Sequence, residues 1–369
     1  MNPSIRLDGI DILRGMAVSG VVVYHFFVLL DLTQNSFFPY VHAFGLLGVP
    51  LFFIISGFLI YKSIHHNIDK RGQKGGLINY FLHRLFRILP AYYVNLFFVL
   101  MLASLMLDSS FLYSTGFLKQ ILSNLTFTSY FTHKVSGFGF NGAYWTLNIE
   151  MLWYLVAPLL FLFVKRTRTL VLLSFLSFGY LWGIDHGLLD SLFGLNKSAP
   201  SYRLELFYLT TQLTGQISYF LSGILIYRYA PGVQSIQAKY IFILTTLLMA
   251  LFVGINGYFG ITSSFLSLQL FTLSVTTLLF ILLYTTKIKG FFFLEWIGKI
   301  SYSLYLWHMP ILFIMKKTSI FTHLSLSASV AVFTVVLLTI SSLSYYLIEE
   351  GGFQLRRRLE KKIKRSLSS

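Results

Sequence analysis

The stretch Leu7–Leu30, LDGIDILRGMAVSGVVVYHFFVLL, is an apolar run of membrane length that nonetheless carries an arginine and a histidine. A charged side chain at the centre of a membrane helix costs roughly 2.5–3.5 kcal/mol, so an ionisable residue retained there indicates a role. Arg14 and His25 are 11 residues apart. On a helix this spacing brings them to within about 20° of one face, about 16 Å apart along the axis. The sequence predicts that both side chains line one cavity.

Each of these two residues also has a structural interpretation. Arg14 could extend toward the lipid headgroups or pair with Asp11, three residues earlier on the same helix. His25 could be a neutral imidazole that is hydrogen-bonded to another helix. Their shared face favours a site, because the residues around them are small and leave room: Gly15, Ala17, Ser19 and Gly20.

The composition excludes a soluble protein. Hydrophobic residues make up 56% of the chain and charged residues 11%, and the mean hydropathy is +0.71, whereas soluble domains are roughly a quarter charged. The apolar runs are about 20 residues long and lack the alternation of barrel strands, which predicts helical spans. Cysteine is absent, which excludes structural disulfides, cysteine metal ligands and a thiolate relay.

We predict an all-α polytopic membrane protein of about ten transmembrane helices with both termini in the cytoplasm. The predicted spans lie near 9–31, 40–61, 87–107, 145–164, 169–184, 206–227, 240–256, 261–285, 298–315 and 325–347. The first run is expected to remain as a span, because no cleavage pattern follows it. The segment 117–132 is too short to span and is predicted to be re-entrant or to lie at the surface. We expect a single transmembrane domain over 1–350 and a basic cytoplasmic tail over 351–369.

The distribution of basic residues gives the predicted orientation. With the N-terminus inside, 23 lysines and arginines fall on the inner side and 6 on the outer side, as the positive-inside rule requires. The net charge of +16 therefore belongs to segments that flank the membrane, and we expect no nucleic-acid partner. The tail RRRLEKKIKRSLSS is predicted to anchor the topology and to touch anionic lipid.

A pair of arginines lies at the predicted inner surface. Arg84 and Arg87, in NYFLHRLFRILPAYY, are three residues apart and so share a helix face. Two guanidinium groups on one face suit phosphate groups, and the predicted topology places Arg14 at the same level. An ordinary positive-inside flank would give the same spacing.

Two further groups could take part in chemistry. Glu150, in YWTLNIE, is predicted to lie about one and a half turns inside the outer surface, at a depth similar to that of His25, whose imidazole it could orient. A protonated carboxylic acid with a packing role is the alternative. Ser301, Tyr302, Tyr305 and His308 lie near one stripe of the ninth predicted span and, with Trp145, could form a substrate path or could link helices. No metal-binding motif is present.

Five ordered motifs give the chain a resemblance to a known family. They cover nearly the whole chain, from about Leu7 to Glu350, and they are RGMAVSGVVVYHFF, GVPLFFIISGFLI, RLFR with ILPAYY, YWTLNIE, and IGKISYSLYLWH. In this order they resemble the membrane acyltransferase 3 family, whose members are mostly bacterial inner-membrane enzymes. These enzymes O-acylate, usually O-acetylate, surface polysaccharides, lipopolysaccharide or peptidoglycan sugars.

The resemblance implies an acyl donor, an acceptor and roles for individual residues. The donor would be cytoplasmic acyl-CoA, most simply acetyl-CoA, and the acceptor a surface glycan or lipid-linked saccharide on the outer side. By motif position, the family's essential histidine maps to His25, its basic residue to Arg14, its paired arginines to Arg84 and Arg87, and its carboxylate to Glu150. Thr146 stands where serine is common. Some members carry a further hydrolase-like domain, and we expect any second transfer step here to need a separate partner.

The mechanism expected from these residues begins with the donor phosphates held by Arg14, Arg84 and Arg87. His25 then acts as general base on the acceptor hydroxyl or is itself acylated. A transporter or flippase for a lipid-linked sugar or small acid, and a ligand sensor, are the rival functions. The sequence shows no convincing internal repeat, which disfavours a transporter built from inverted halves.

Overall fold

The computed structural model describes residues 5–106, 115–129, 141–229, 240–241, 243–247, 264–286, 290–318 and 323–368. Every regular element within these ranges is helical, as the sequence predicts. The helices are α1 (Ile5–Leu29), α2 (Phe38–Met106), α3 (Thr115–Leu125), α4 (Tyr144–Phe163), α5 (Thr167–Asp185), α6 (Asp190–Phe193), α7 (Tyr202–Thr210), α8 (Leu213–Arg228), α9 (Phe265–Thr285), α10 (Phe292–Lys299), α11 (Ser301–Lys317), α12 (Leu326–Ser344) and α13 (Glu350–Ser368). A π-helical turn, Tyr345–Glu349, joins α12 to α13.

Six of the described helices are long and apolar enough to cross a membrane. They are α1, α2, α4, α5, α9 and the continuous helix formed by α12 and α13. The predicted span 206–227 is divided between α7 and α8, since Gln212 has an extended backbone conformation. Most of the predicted span 240–256 lies outside the described residues. The count of ten spans and the cytoplasmic location of both termini stay predictions.

Helix α2 contains two helical halves that meet at Gly72, where φ is +70°. The predicted spans 40–61 and 87–107 leave residues 62–86 as a predicted loop, but these residues are helical on both sides of the break. A polar network joins the two sides, because Arg71 donates to Asn79 across 2.8 Å and Asn79 donates to Asn67 across 2.5 Å. The polar residues that suggest a loop therefore bond to one another within a helical hairpin.

The chain divides into two compact units. The described residues of the first unit lie at 5–62 and 145–299, and those of the second at 63–129, 141–144 and 300–368. The single domain over 1–350 stays a prediction, since two compact units of helices need not be independent domains.

The first unit is held together by close approach of helix backbones. A methyl group at Gly57 of α2 would collide with the Phe220 carbonyl of α8, and one at Gly223 would collide with the Ile54 carbonyl. Beside this contact the Phe220 ring stacks on Phe53 and on Trp153 of α4, with centroid distances of 4.6 and 4.5 Å. Small residues let helices approach closely where the surrounding lipid offers no hydrophobic driving force.

Arg228, the last residue of α8, ties the ends of α8 and α4 to Tyr61 of α2 within the first unit. It donates to the Val164 carbonyl at 2.6 Å, to the Lys165 carbonyl at 3.1 Å and to the Tyr61 hydroxyl at 2.8 Å. The two carbonyls follow the end of α4, where helix carbonyls lack intrahelical partners. A cation is also favourable at that end because of the helix dipole.

The second unit contains a buried polar cluster. The Tyr144 hydroxyl donates to Asn95 Oδ1 across 2.7 Å, and Asn141 donates to the Leu306 carbonyl across 2.9 Å. In α11, Ser303 donates to the carboxylate of Glu349 across 2.5 Å. These contacts connect α2, α11 and the π-helical turn through groups that are otherwise costly to bury.

Candidate functional site

Helix α1 carries both ionisable residues that the sequence singles out. Arg14 Nη1 lies 3.5 Å from Asp11 Oδ1, and the two side chains are 17% and 19% exposed. Of the two structural interpretations of Arg14 that the sequence allows, the structure therefore shows the pairing with Asp11. A partly exposed pair at this distance contributes little stability, about 0.3–0.5 kcal/mol in an exposed helix.

His25 lies three turns further along α1, and its side chain is half-buried. Its imidazole is hydrogen-bonded to the backbone of Val21, one turn earlier. The ring of the adjacent Tyr24 meets it edge to face at a centroid distance of 5.3 Å. A hydrogen bond from one ring nitrogen fixes the tautomer, and with it the nitrogen that can accept a proton.

The first half of α2 packs antiparallel to α1 through glycines. A methyl group at Gly45 would lie 2.5 Å from Tyr24 Cβ, and one at Gly48 would lie 2.6 Å from the Ala17 carbonyl oxygen. Gly45 therefore marks the level of His25 along α2, and Gly48 lies closer to the level of Arg14.

Glu150 of α4 accepts two hydrogen bonds from hydroxyl groups. The Tyr154 hydroxyl donates to Glu150 Oε1 across 2.7 Å, and the Ser56 hydroxyl donates to the same oxygen across 3.2 Å. Hydrogen bonds to a carboxylate are stronger than those between neutral groups. Glu150 is therefore held by two neighbours that are absent from the candidate residues predicted from the sequence.

The depth of Glu150 differs from the expected depth. Ser56 lies 11 residues beyond Gly45 in α2, about 16 Å along the helix axis. This displacement is toward the Arg14 end of α1, away from the level of His25. The reason is that α4 begins deep, as the contact of Trp145 with Phe53 shows at a centroid distance of 6.4 Å. The structure joins Glu150 to two hydroxyl groups, and the orientation of His25 by Glu150 stays a prediction.

The contacts of Glu150 with Tyr154 and with Ser56 differ in whether the sequence could have predicted them. Tyr154 is one helical turn after Glu150, so helix spacing could have indicated that contact. Ser56 is 94 residues from Glu150, and no local pattern connects them.

Trp145 lies between two aromatic rings of the first unit. Its edge-to-face contacts are with Phe53 and with Phe207 of α7, each at a centroid distance of 6.4 Å. The indole is half-buried at the start of α4. Its role in a substrate path stays a prediction.

Arg84 and Arg87 lie in the second half of α2, within the second unit. Arg84 is 8% exposed, and its guanidinium carbon lies 5.9 Å from the centre of the Tyr80 ring. Arg87 is half-buried. A guanidinium buried against an aromatic ring is ordered by cation–π attraction and packing, so Arg84 has a structural role beyond that of a flanking charge.

The stripe of α11 provides several hydrogen bonds inside the second unit. The Tyr302 hydroxyl donates to the Ile88 carbonyl across 3.0 Å, next to Arg87 in the chain. His308 is fully buried, and its Nδ1 lies 2.7 Å from the Tyr305 carbonyl. The contact of Tyr302 is of the kind that links helices, and a substrate path along this stripe stays a prediction. Across the described ranges, no group of three histidine, aspartate or glutamate side chains could hold a metal ion.

Residues 7–348 match the model of one protein family, described as an acyltransferase domain. The match begins at the start of α1 and ends in the π-helical turn, so it includes Arg14, His25, Arg84, Arg87 and Glu150. No solved structure matches the chain at a significant level.

Several known proteins are similar to the chain. The peptidoglycan O-acetyltransferase OatA of Listeria monocytogenes is 28% identical over 337 residues, which cover 83% of this chain and 49% of that protein. The O-acetyltransferase OatA of Staphylococcus aureus is 27% identical over 344 residues, covering 83% and 50%. ORF330 of Acidianus two-tailed virus is 25% identical over 299 residues, covering 80% and 81%. The chain thus spans about half the length of the two OatA proteins.

Proposed function

Because this chain belongs to the acyltransferase 3 family, we propose that it is an integral membrane O-acyltransferase. It moves an acyl group, most simply an acetyl group, from acyl-CoA on the cytoplasmic side to a hydroxyl of a glycan on the outer side. The acceptor is a surface polysaccharide or a lipid-linked saccharide, and the protein resides in the bacterial inner membrane. The names of the two OatA relatives support acetyl as the acyl group, and the Listeria name supports a cell-wall glycan.

The observation that carries the proposal is the placement of Arg14 and His25 on one membrane-length helix. Both side chains are half-buried, and glycines bring α2 close to α1 between them. Ionisable side chains in such a helix are costly, and we propose that beyond their partners within α1 these two act on a polar ligand. An acyl-CoA molecule has phosphates that stay in water and a slim arm that ends in the thioester. Its arm can therefore extend along α1 from the level of Arg14 to His25.

His25 acts as the general base in the proposed reaction. The acceptor hydroxyl attacks the thioester carbonyl while the imidazole takes its proton; a C–O ester bond forms and the C–S bond breaks. The proton held by His25 then neutralises the departing CoA thiolate, so that the enzyme is unchanged after one turnover. The hydrogen bond to Val21 holds the ring in one tautomer during this exchange.

Glu150 acts as a positioning residue for the donor's arm in the first unit. Its carboxylate holds the hydroxyls of Ser56 and Tyr154, and these lie toward the level of Arg14. A fixed set of hydroxyl groups at this depth can hydrogen-bond the amide groups of the donor's arm. Arg84 and Arg87 bind its phosphates, because guanidinium groups form paired, charge-assisted bonds with phosphate oxygens. The participation of Arg14 in phosphate binding stays a prediction from the sequence.

The proposal is tested with the purified protein in lipid nanodiscs, which leave both membrane faces accessible. The donor is acetyl-CoA labelled in the acetyl group, and the acceptor is surface glycan prepared from cells that carry the His25→Ala variant. We expect alkali-labile label in the glycan with the wild type and none with His25→Ala. Absence of transfer by folded wild-type protein would exclude the enzyme and favour a transporter or sensor.

The same assay without acceptor separates the two roles of His25. If His25 is a base, protein denatured at neutral pH and separated at once carries no label after one exposure to the donor. Acid is avoided because it hydrolyses an acylimidazole. Label that stays on the wild type but is absent from His25→Ala would show that the imidazole itself is acylated.

A further inference from the structure

We propose that Arg356, in helix α13, is a third arginine of the site that binds the donor's phosphate groups, beside Arg84 and Arg87. The inference rests on the proposed function for the identity of its ligand. It assigns a ligand to one residue of a tail whose sequence alone indicates only a basic anchor.

Helix α13 packs directly on the part of α2 that carries the arginine pair. A methyl group at Gly352 would lie 2.7 Å from the Phe86 carbonyl oxygen and 3.2 Å from Pro90 Cγ. Arg356 follows Gly352 by four residues, one helical turn, and so extends from the same face of α13. This contact brings the start of the tail against α2 within the second unit.

The facing surface of α2 is basic. Gly352 packs on the face of α2 that holds Phe86 and Pro90. Residues three or four positions apart share a helix face, so His83 and Arg87 lie on or next to this face. The charges of Arg356, Arg84 and Arg87 all act on the His83 imidazole. Arg356 of α13 therefore lies close enough to the arginine pair of α2 for all three charges to act on the same imidazole.

Burial distinguishes Arg356 from the arginines beside it. The Arg356 side chain is half-buried, whereas those of Arg357 and Arg358 are exposed. A residue that only attracts anionic lipid needs no burial, because that attraction acts over about a Debye length. Arg356 is instead partly enclosed where α13 packs on α2, and such burial favours a fixed ligand over diffuse attraction.

A ligand with several phosphate groups suits a site formed by neighbouring arginines. Gathering like charges costs free energy, and the cost is larger where Arg84 is 8% exposed than at the surface. An anion with several phosphate groups offsets this repulsion through charge-assisted, paired hydrogen bonds. Coenzyme A carries a diphosphate and a separate 3′-phosphate, so it can engage arginines from two helices at once.

The test measures binding of coenzyme A to the full chain in phosphatidylcholine nanodiscs by calorimetry. We expect Arg356→Gln to weaken binding roughly tenfold or more, the effect of losing hydrogen bonds to a charged group. Arg357→Gln is the matched control, since it removes the same charge one residue away, and its affinity should stay close to that of the wild type. Arg356→Lys keeps the charge but loses the paired geometry, and it should fall between wild type and Arg356→Gln.

Further comparisons distinguish coenzyme A from lipid headgroups as the ligand of Arg356. They also distinguish failure of this inference from failure of the proposed function. Equal losses for Arg356→Gln and Arg357→Gln, or wild-type affinity for Arg356→Gln, would overturn the inference and leave the proposed function standing. So would a loss that appears only as weaker binding of phosphatidylglycerol headgroups in mixed nanodiscs. Failure of the wild type to bind coenzyme A would instead overturn the donor in the proposed function. Thermal unfolding of each variant establishes that it is folded, and the affinity of Arg356→Lys decides the outcome if Arg356→Gln does not fold.

Discussion

Ser56 and Glu150, 94 residues apart in the chain, are joined by a hydrogen bond of 3.2 Å from the serine hydroxyl to Oε1. The contact links α2 to α4, and Tyr154 donates to the same oxygen. It sets the depth of Glu150 in the first unit.

Replacement of Ser56 by alanine should destabilise the protein by about 1–3 kcal/mol, because Glu150 loses one of its hydroxyl partners. Thermal unfolding followed by tryptophan fluorescence measures this. Ser274→Ala serves as the control, since that exposed hydroxyl donates only within its own helix, to the Leu270 carbonyl. Equal unfolding temperatures for the two variants would mean that the Ser56 contact contributes nothing.

Replacement of His25 by glutamine should lower acetyl transfer by about 10²–10⁴-fold, the usual contribution of a general base. Glutamine keeps the polarity and approximate size, so the unfolding temperature should change little. His65→Gln is the control, because His65 is 50% exposed and lies 3.6 Å from Asp69. A His25→Gln protein with the activity of His65→Gln would remove the catalytic assignment.

The two arginines of α2 should differ in what their loss affects. Arg84→Ala should weaken coenzyme A binding and also lower the unfolding temperature, since Arg84 is buried against Tyr80. Arg87→Ala should weaken binding by a similar factor, roughly tenfold, with a smaller effect on unfolding. Calorimetry and thermal unfolding of both variants give the comparison. If neither variant changes the affinity, the pair is a topological flank.

Gly57→Ala should destabilise the first unit by about 1–3 kcal/mol or more, because the added methyl group collides with the Phe220 backbone. Gly179→Ala in α5 is the matched control, since a methyl group there has no neighbour within 4 Å. That substitution should stabilise the protein by up to about 1 kcal/mol through helix propensity. Unfolding of both variants in one detergent tests the difference, and a harmless Gly57→Ala would contradict the close approach of α2 and α8.

Hydropathy was sufficient to predict the helical class and the first span. The apolar run with Arg14 and His25 forms α1 almost as delimited, because burial in lipid is decided by local composition. The segment 62–86 was predicted as a loop because its polar residues suggest solvent. Their bonds to one another, such as Arg71 to Asn79, depend on how the chain folds back, and no periodic pattern encodes that.

The depth of Glu150 shows a second limit of prediction from sequence. Counting from the end of a predicted span gives depth only if the span begins at the membrane surface. Helix α4 begins beside Phe53, well along α2, so the count started from the wrong level. Arg356 could not be singled out for a related reason, since its neighbour Arg357 has the same sequence context and only tertiary packing separates them.

Arg228 combines a predicted role in membrane orientation with an observed structural one. Its guanidinium counts toward the predicted charge asymmetry, and it donates to the Val164 and Lys165 carbonyls just after the end of α4 and to the hydroxyl of Tyr61. Lysine could supply the same electrostatic signal to the insertion machinery, but it could not span three acceptors with a planar fork. At this position one side chain therefore serves both the predicted orientation of the chain and the observed attachment of α8 to the end of α4.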